Sequence, residues 1–320
     1  MADVRLHVPA HMLDHDCAAV PHFYQRLLQG LRDCGATTDI VHRDLDRLHK
    51  GPDGAHFDLV HNGSIARPQL LNLAPAYIAR FFYADPVGIY FESSIAKARF
   101  APADLPAAEA KTFADALRKT WVVARKSRHQ QPEEQTNFGT GHIAIFLQDW
   151  SDPVERARYM TAQDMVQTVV GGAAGRQVVV KPHPRNSARE TQKIRQWLRK
   201  NHPEVRVTEA NIHDIMAGAC VTVSISSSVA LEGMLHRVPA ILFGRSDLHH
   251  AAVTVKSAAE WPAGLTRALH TSWPYDAFLL WFLRRQNIEA GRPFLAQVLD
   301  RMAKAGADFA ALHITAPHLL

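Results

Sequence analysis

Two short stretches carry the side chains best suited to chemistry. Lys181, Pro182, His183 and Pro184 follow the apolar run Val178–Val180. Further on, Ser226, Ser227 and Ser228 follow the β-branched run Val221–Ile225 and lead into a helix-like segment. In open α/β sheets, ligands gather at the carboxyl ends of strands. A helix start at such a place adds backbone N–H donors and a positive dipole end, which suit a phosphate. An ammonium and an imidazole at one strand end, with hydroxyls at its neighbour, would therefore make an anion pocket. Pro182 and Pro184 stiffen the first loop and bias it toward extended backbone. The plain alternatives are a loop histidine packed between prolines and serines that merely cap a helix. Three hydroxyls in a row exceed what a cap needs. Glu232, one turn into the helix, either accepts hydrogen bonds from a ribose or faces solvent.

Carboxylates stand at two further strand ends. Gln148, Asp149 and Asp152 follow His142–Leu147. Asp152 precedes Pro153, so it is a helix N-cap with proline at the first helical position, a nucleophile or base in a cleft, or both. Glu92 follows the run Val87–Phe91 (VGIYF). With Tyr90 and Phe91 beside it, its pKa would rise toward that of a general acid; otherwise it is a surface charge at a strand end. Asp58 and Asp85 are weaker candidates of the same kind. The chain has 19 histidines, but no HExxH occurs and no metal site is expected. P-loop, strand-linked GxGxxG and GxSxG motifs are missing too, which disfavours P-loop, Rossmann dinucleotide and α/β-hydrolase chemistry.

The elements that must position these residues alternate in type. Val4–Val8, Thr38–His42, Phe57–His61 and Val87–Phe91 read as strands; Val20–Cys34, Gln69–Tyr83 and Ala107–Ser127 read as helices. A polar, turn-rich stretch at 128–141 (RHQQPEEQTNFGTG) reads as an interdomain linker. After it come strands at His142–Leu147, Gln177–Val180, Val205–Val207, Val221–Ile225 and Pro239–Phe243. Between them lie helices at Val154–Val170, Ser187–Asn201 (basic and amphipathic), Ile212–Ala217 and Val229–His236. Repeated βα order predicts mostly parallel sheets. The remainder, through 320, reads as mainly helical and able to fold back over the first domain. The expected division is an α/β domain over 1–135, a second α/β domain over 136–275, and C-terminal helices over 276–320 returning to the first.

The 320 residues are 47% hydrophobic and 21% charged, an ordinary globular composition. No apolar run approaches the roughly 20 residues of a membrane span. The first residues carry charge where a signal peptide needs an apolar core, so a cytoplasmic location is expected. Three scattered cysteines give neither a CxxC site nor a disulfide framework. The net charge of +5 favours anionic partners, but no nucleic-acid fingerprint occurs and nucleic acid is not an expected partner.

KPHP followed by SISSSVALEGMLHRVPAILFG, with Gln148 and Asp152 spaced as Q-x-x-x-D, resembles the capsule polysaccharide biosynthesis glycosyltransferases, the bacterial β-Kdo transferases and their relatives. The paired HP and Ser-rich motifs are also similar to those of bacterial sialyltransferases. The likeness covers 141–245 well and the first 130 residues loosely. It implies a GT-B fold, in which two Rossmann-like domains face a cleft, and a CMP-sugar donor with no further cofactor. The implied acceptor is an anionic surface glycan or glycolipid, with peripheral contact at the inner membrane. By resemblance, His183 and the N–H groups near Pro184 contact the donor phosphate, with Lys181 beside them, and Ser226–Ser228 hold phosphate or ribose. Asp152 becomes the nucleophile of a retaining transfer and Glu92 the acid/base. The related acidic motif often reads acidic-acidic-Gly, where this chain has Glu92-Ser93-Ser94. Two rivals remain: a nucleotide-diphosphate-sugar enzyme of the same fold, and a catalytically silent binding subunit of a capsule assembly.

Overall fold

A computed structural model describes residues 2–51, 54–149 and 152–315. The chain forms two compact units, Met1–Ala98 with Phe282–Leu320, and Arg99–Trp281. Unit 1 begins with β1 (Val4–Val8), α1 (Asp14–Cys17), α2 (His22–Asp33), β2 (Thr38–His42), α3 (Leu45–Lys50), β3 (Phe57–His61), β4 (Leu70–Pro75) and β5 (Phe81–Asp85). β1 pairs in parallel with both β2 and β3, setting Leu6 opposite Ile40 and Leu59. One face of this sheet is the unit's core. Val4, Leu6, Val8 and Leu59 meet Phe23, Leu27 and Leu31 of α2, which recur one turn apart on one helix face. Each such fully buried side chain contributes about 1.5–3 kcal/mol. Gly35 ends the helix at φ +106°, and a Cβ there would lie 2.5 Å from the carbonyl oxygen of His313.

Two expectations for unit 1 give way. Gln69–Tyr83 is not a helix: β4 and β5 form an antiparallel pair across it. Leu70, Leu71, Leu73 and Ala74 are all buried, and a strand covered on both faces loses the alternation that would betray it. Val87–Phe91 is not a strand either. The Asp85 carboxylate accepts from the N–H groups of Val87, Gly88 and Ser94 and from the Ser94 hydroxyl. That folds the chain back into short 3₁₀ turns at Tyr90–Glu92 and Ser94–Lys97.

Unit 2 contains α4 (Ala107–Arg118), β6 (His142–Phe146), α5 (Asp152–Ala157), α6 (Ala162–Gly171), β7 (Val178–Lys181), α7 (Ala188–Asn201), β8 (Arg206–Val207), α8 (Ile212–Gly218), β9 (Ala219–Ser224), α9 (Val229–Leu235), β10 (Ala240–Leu242), β11 (Val253–Thr254), α10 (Trp261–His270) and α11 (Tyr275–Leu279). Its six strands run in the order β11-β10-β9-β6-β7-β8, and every pairing is parallel. Ile143 and Ile145 face α6 and α10 on one side of the sheet; Ala144 and Phe146 face α8 on the other. The expected helix Val154–Val170 is two helices. Arg158 bridges to Gly244, and Thr161 then caps α6 by accepting from the Asp164 N–H.

The division between units falls at 98/99 and 281/282, where the sequence places it at 135/136 and 275/276. α4 belongs to unit 2, where Arg118 donates to the Leu235 carbonyl at 3.0 Å and pairs with Asp276 at 2.6 Å. The polar stretch 128–141 is bound into the same unit: Gln131 accepts from the Ile212 N–H, Asn211 donates to the Pro132 carbonyl, and Thr136 N–H donates to Asp214. Its polar side chains read as linker, yet they tie down the start of α8. From 282 the chain is part of unit 1. There β12 (Ile288–Glu289) pairs antiparallel with β5, and α12 (Leu295–Lys304) adds Val298, Leu299 and Met302 to the core beside α2.

Candidate functional site

The unit 2 sheet fixes where a ligand could sit. From β6 the chain steps to β7 on one side, and later to β9 on the other. Strand order therefore reverses between β6 and β9, and the loops leaving their carboxyl ends diverge to opposite faces. Gln148, just past β6, spans this gap. Its Oε1 accepts the Ser226 N–H at 2.7 Å and its Nε2 lies 3.5 Å from the Ser226 Oγ. Gln148 thus holds the serine turn in place, and that engages its acceptor oxygen.

β7 ends at Lys181, which is 6% exposed. Its Nζ donates to the carbonyls of Glu209 at 2.8 Å and Ala210 at 2.7 Å. Burial pulls the ammonium down to about 8, with Glu209 opposing. Two of its three N–H donors are thus engaged. His183 is half-buried. Its Nδ1 accepts the Arg185 N–H at 3.2 Å, which leaves the proton of the neutral ring on Nε2. Burial pushes this imidazole down to about 4; Asp149 opposes that, and His129, Arg185 and Arg128 add to it. His183 is therefore a neutral donor at physiological pH.

After β9, the Ser227 hydroxyl accepts the Val229 N–H at 3.2 Å, so part of the serine cluster does cap a helix. Ser228 occupies the N-cap position with helical backbone, and its hydroxyl makes no capping bond. Glu232 does not face solvent: it is 2% exposed, and its Oε2 has no hydrogen-bond partner among the described residues. Burial pushes its carboxyl up to about 7, against a bond from Ser127 and the charge of Arg128.

Lys181, His183, Pro184, Ser227, Ser228 and Glu232 line one pocket, together with Ser127 and His129. The last two lie in or beside the stretch that reads as linker, and sequence reasoning missed them. The His129 ring stands edge-on to His183, with centroids 5.2 Å apart, and burial lowers its pKa as well. Gln148 and Ser226, bonded to each other, adjoin in sequence Leu147 and Ser227, which line this pocket. Asp149 forms an ion pair with Arg185. Asp152 opens α5, but its side chain lies outside the described residues. Glu92 belongs to unit 1, half-buried, with its N–H donating to the Ile89 carbonyl at 3.1 Å. Among the described residues no group of three or more His, Cys, Asp or Glu side chains could hold a metal ion. No helix among the described residues is long and apolar enough to cross a membrane.

No protein-family model matches the sequence, and no curated protein sequence matches it. Solved structures do match. The β-Kdo 2,4 transferase of Thermosulfurimonas dismutans KpsC is 16% identical at a TM-score of 0.53, over 87% of this chain and 90% of that one. The β-Kdo 2,7 transferase of the same protein is 13% identical at 0.53, over 93% and 99%. At such identities the likeness is one of architecture: two α/β units with mostly parallel sheets, in the GT-B manner, and a C-terminal segment packed on the first.

Proposed function

We propose that this chain is a glycosyltransferase that draws an acidic sugar, Kdo by preference, from a CMP-sugar and passes it to an anionic glycan or glycolipid acceptor with retention. One observation carries the reading. The imidazole after β7, the hydroxyls after β9 and the buried carboxyl of α9 line a single pocket beside the reversal of strand order. The architecture, similar to that of two solved β-Kdo transferases, supports it.

In this reading the neutral His183 donates from Nε2 to the single phosphate of CMP and stabilises its charge as the glycosidic bond breaks. Lys181 adds its remaining N–H, and the Ser227 and Ser228 hydroxyls hold the phosphate or ribose. Glu232 meets the ribose with its unpartnered oxygen. Asp152 attacks the anomeric carbon while CMP leaves with the bonding electrons. Glu92 then takes the proton of the acceptor hydroxyl as that oxygen displaces Asp152, as in retaining glycoside chemistry. No metal takes part. Contact with the inner membrane and a cytoplasmic location belong to the same reading.

The test is CMP release from CMP-Kdo with and without an acceptor glycan. Release by the wild-type chain and its loss in His183→Ala are the expected results. Turnover of a UDP-sugar in place of CMP-Kdo would overturn the donor assignment. CMP binding without release would make the chain a binding subunit.

A further inference from the structure

Unit 1 holds a second cavity that the transfer reaction does not use. Along β1, Val4, Leu6 and Val8 point into the core, so Arg5 and His7 point to the opposite face of the sheet. That face carries a small apolar cluster of Leu48, Val60, Ile65 and Leu70 and, beside it, buried polar groups. His7 is buried beside Asp58 of β3, which is 1% exposed. The Asp58 carboxylate takes a bond from His7 Nε2 at 2.7 Å, forms an ion pair with Arg67, and lies 3.3 Å from His56 Nε2. Burial would raise this carboxyl, but the bonds from His7 and Arg67 hold it below its ordinary value. Arg5 Nη1 is 3.4 Å from His56 Nε2. A buried ionic network of this kind is weak evidence for stability, because hydrophobic side chains of similar volume often serve as well. Ionisable groups gathered in a cavity point instead to a ligand.

The network forms the floor of a cavity of about 360 Å³, within the roughly 300–1,000 Å³ of small-molecule sites. Arg47 of α3 and Asp39 of β2 stand in its walls. The guanidiniums of Arg5, Arg47 and Arg67 line it. Arg67 already donates to Asp58 and to the carbonyls of Leu48 and Pro68, but each guanidinium carries five N–H donors, and those beyond its protein partners suit a carboxylate. Asp39 and Asp44 stand among them, so a bare anion would meet repulsion, whereas hydroxyl groups could donate to these oxygens. We propose that this cavity is a second ligand site, and that its ligand is a small polyhydroxylated carboxylate, a sugar acid. The site lies wholly in unit 1, so it does not depend on the CMP reading.

Saturation-transfer NMR on the full chain tests this, with glucuronate, glucose and inorganic phosphate as probes and CMP binding as the control for unit 2. Glucuronate is expected to bind, and glucose and phosphate to bind at least about tenfold more weakly. Arg5→Ala and Arg47→Ala should each weaken glucuronate by about tenfold and leave the CMP affinity of the wild-type chain, whatever its value, unchanged. Arg47 is exposed on α3, so its variant serves if Arg5→Ala fails to fold. Three results would each overturn the proposal: no glucuronate binding in the millimolar range, equal binding by Arg47→Ala and wild type, or phosphate competing as well as glucuronate.

Discussion

The two sheets handle polar side chains in different ways. In unit 2, Lys181, His183 and Ser226–Ser228 follow strand ends, where turning backbone supplies N–H groups and carbonyls. Three of these side chains bond to the main chain: Lys181 to two carbonyls, His183 and Ser227 to N–H groups. In unit 1 the polar cluster lies on the flat of the sheet, where the strands have already used their main-chain groups. Asp58 therefore takes its bonds from side chains, His7 and Arg67. Removing one residue should therefore cost less stability at a strand end than on the sheet face.

That contrast can be broken by substitution. Asp58→Ala leaves the Arg67 guanidinium buried without its carboxylate, and should lower stability by about 3–5 kcal/mol in urea unfolding; a loss under about 1 kcal/mol would place the network outside the fold's support. His183→Ala should do the reverse. Donor turnover should fall about 10²–10³-fold, as when one transition-state hydrogen-bond donor is removed, with the unfolding midpoint nearly unchanged.

Glu232→Gln sharpens the contrast through pH. The buried carboxyl stands at about 7 against an ordinary 4.5. A raised folded value favours folding below 4.5 and loses that contribution as pH rises through 7. Relative to Glu232→Gln, the wild type should thus lose up to about 3 kcal/mol between pH 4.5 and pH 7 and change little above that. Parallel stability curves for the two proteins would put the carboxyl in water. The smallest effect belongs to Gln148→Ala, which deprives the Ser226 N–H of its acceptor and should cost about 1–2 kcal/mol, with nucleotide binding weakened in step.

Much of unit 2 was legible because its strands are short, β-branched and bounded by turns. The capping box of α7, Ser187 with Glu190, even marks the helix start that the sequence suggests. His183 and Ser227 were legible as strand-end residues, but not as ends of neighbouring strands: β6 lies between β7 and β9. His129 and Ser127 were not legible. Nothing local marks a polar segment that is held by the start of a distant helix. Asp58 ranked low because a lone carboxylate in a strand gives no hint of Arg67 and His7 beside it. The β4–β5 hairpin was missed for the opposite reason, as burial on both faces erases the period of two.

The account rests on unit 2 binding a cytidine nucleotide through a neutral imidazole and a serine turn. Calorimetric titration of the full chain with CMP, UDP and GDP tests it most directly. CMP should bind most tightly, and His183→Ala should lose most of that affinity. Equal CMP binding by His183→Ala, or a preference for UDP or GDP, would contradict it.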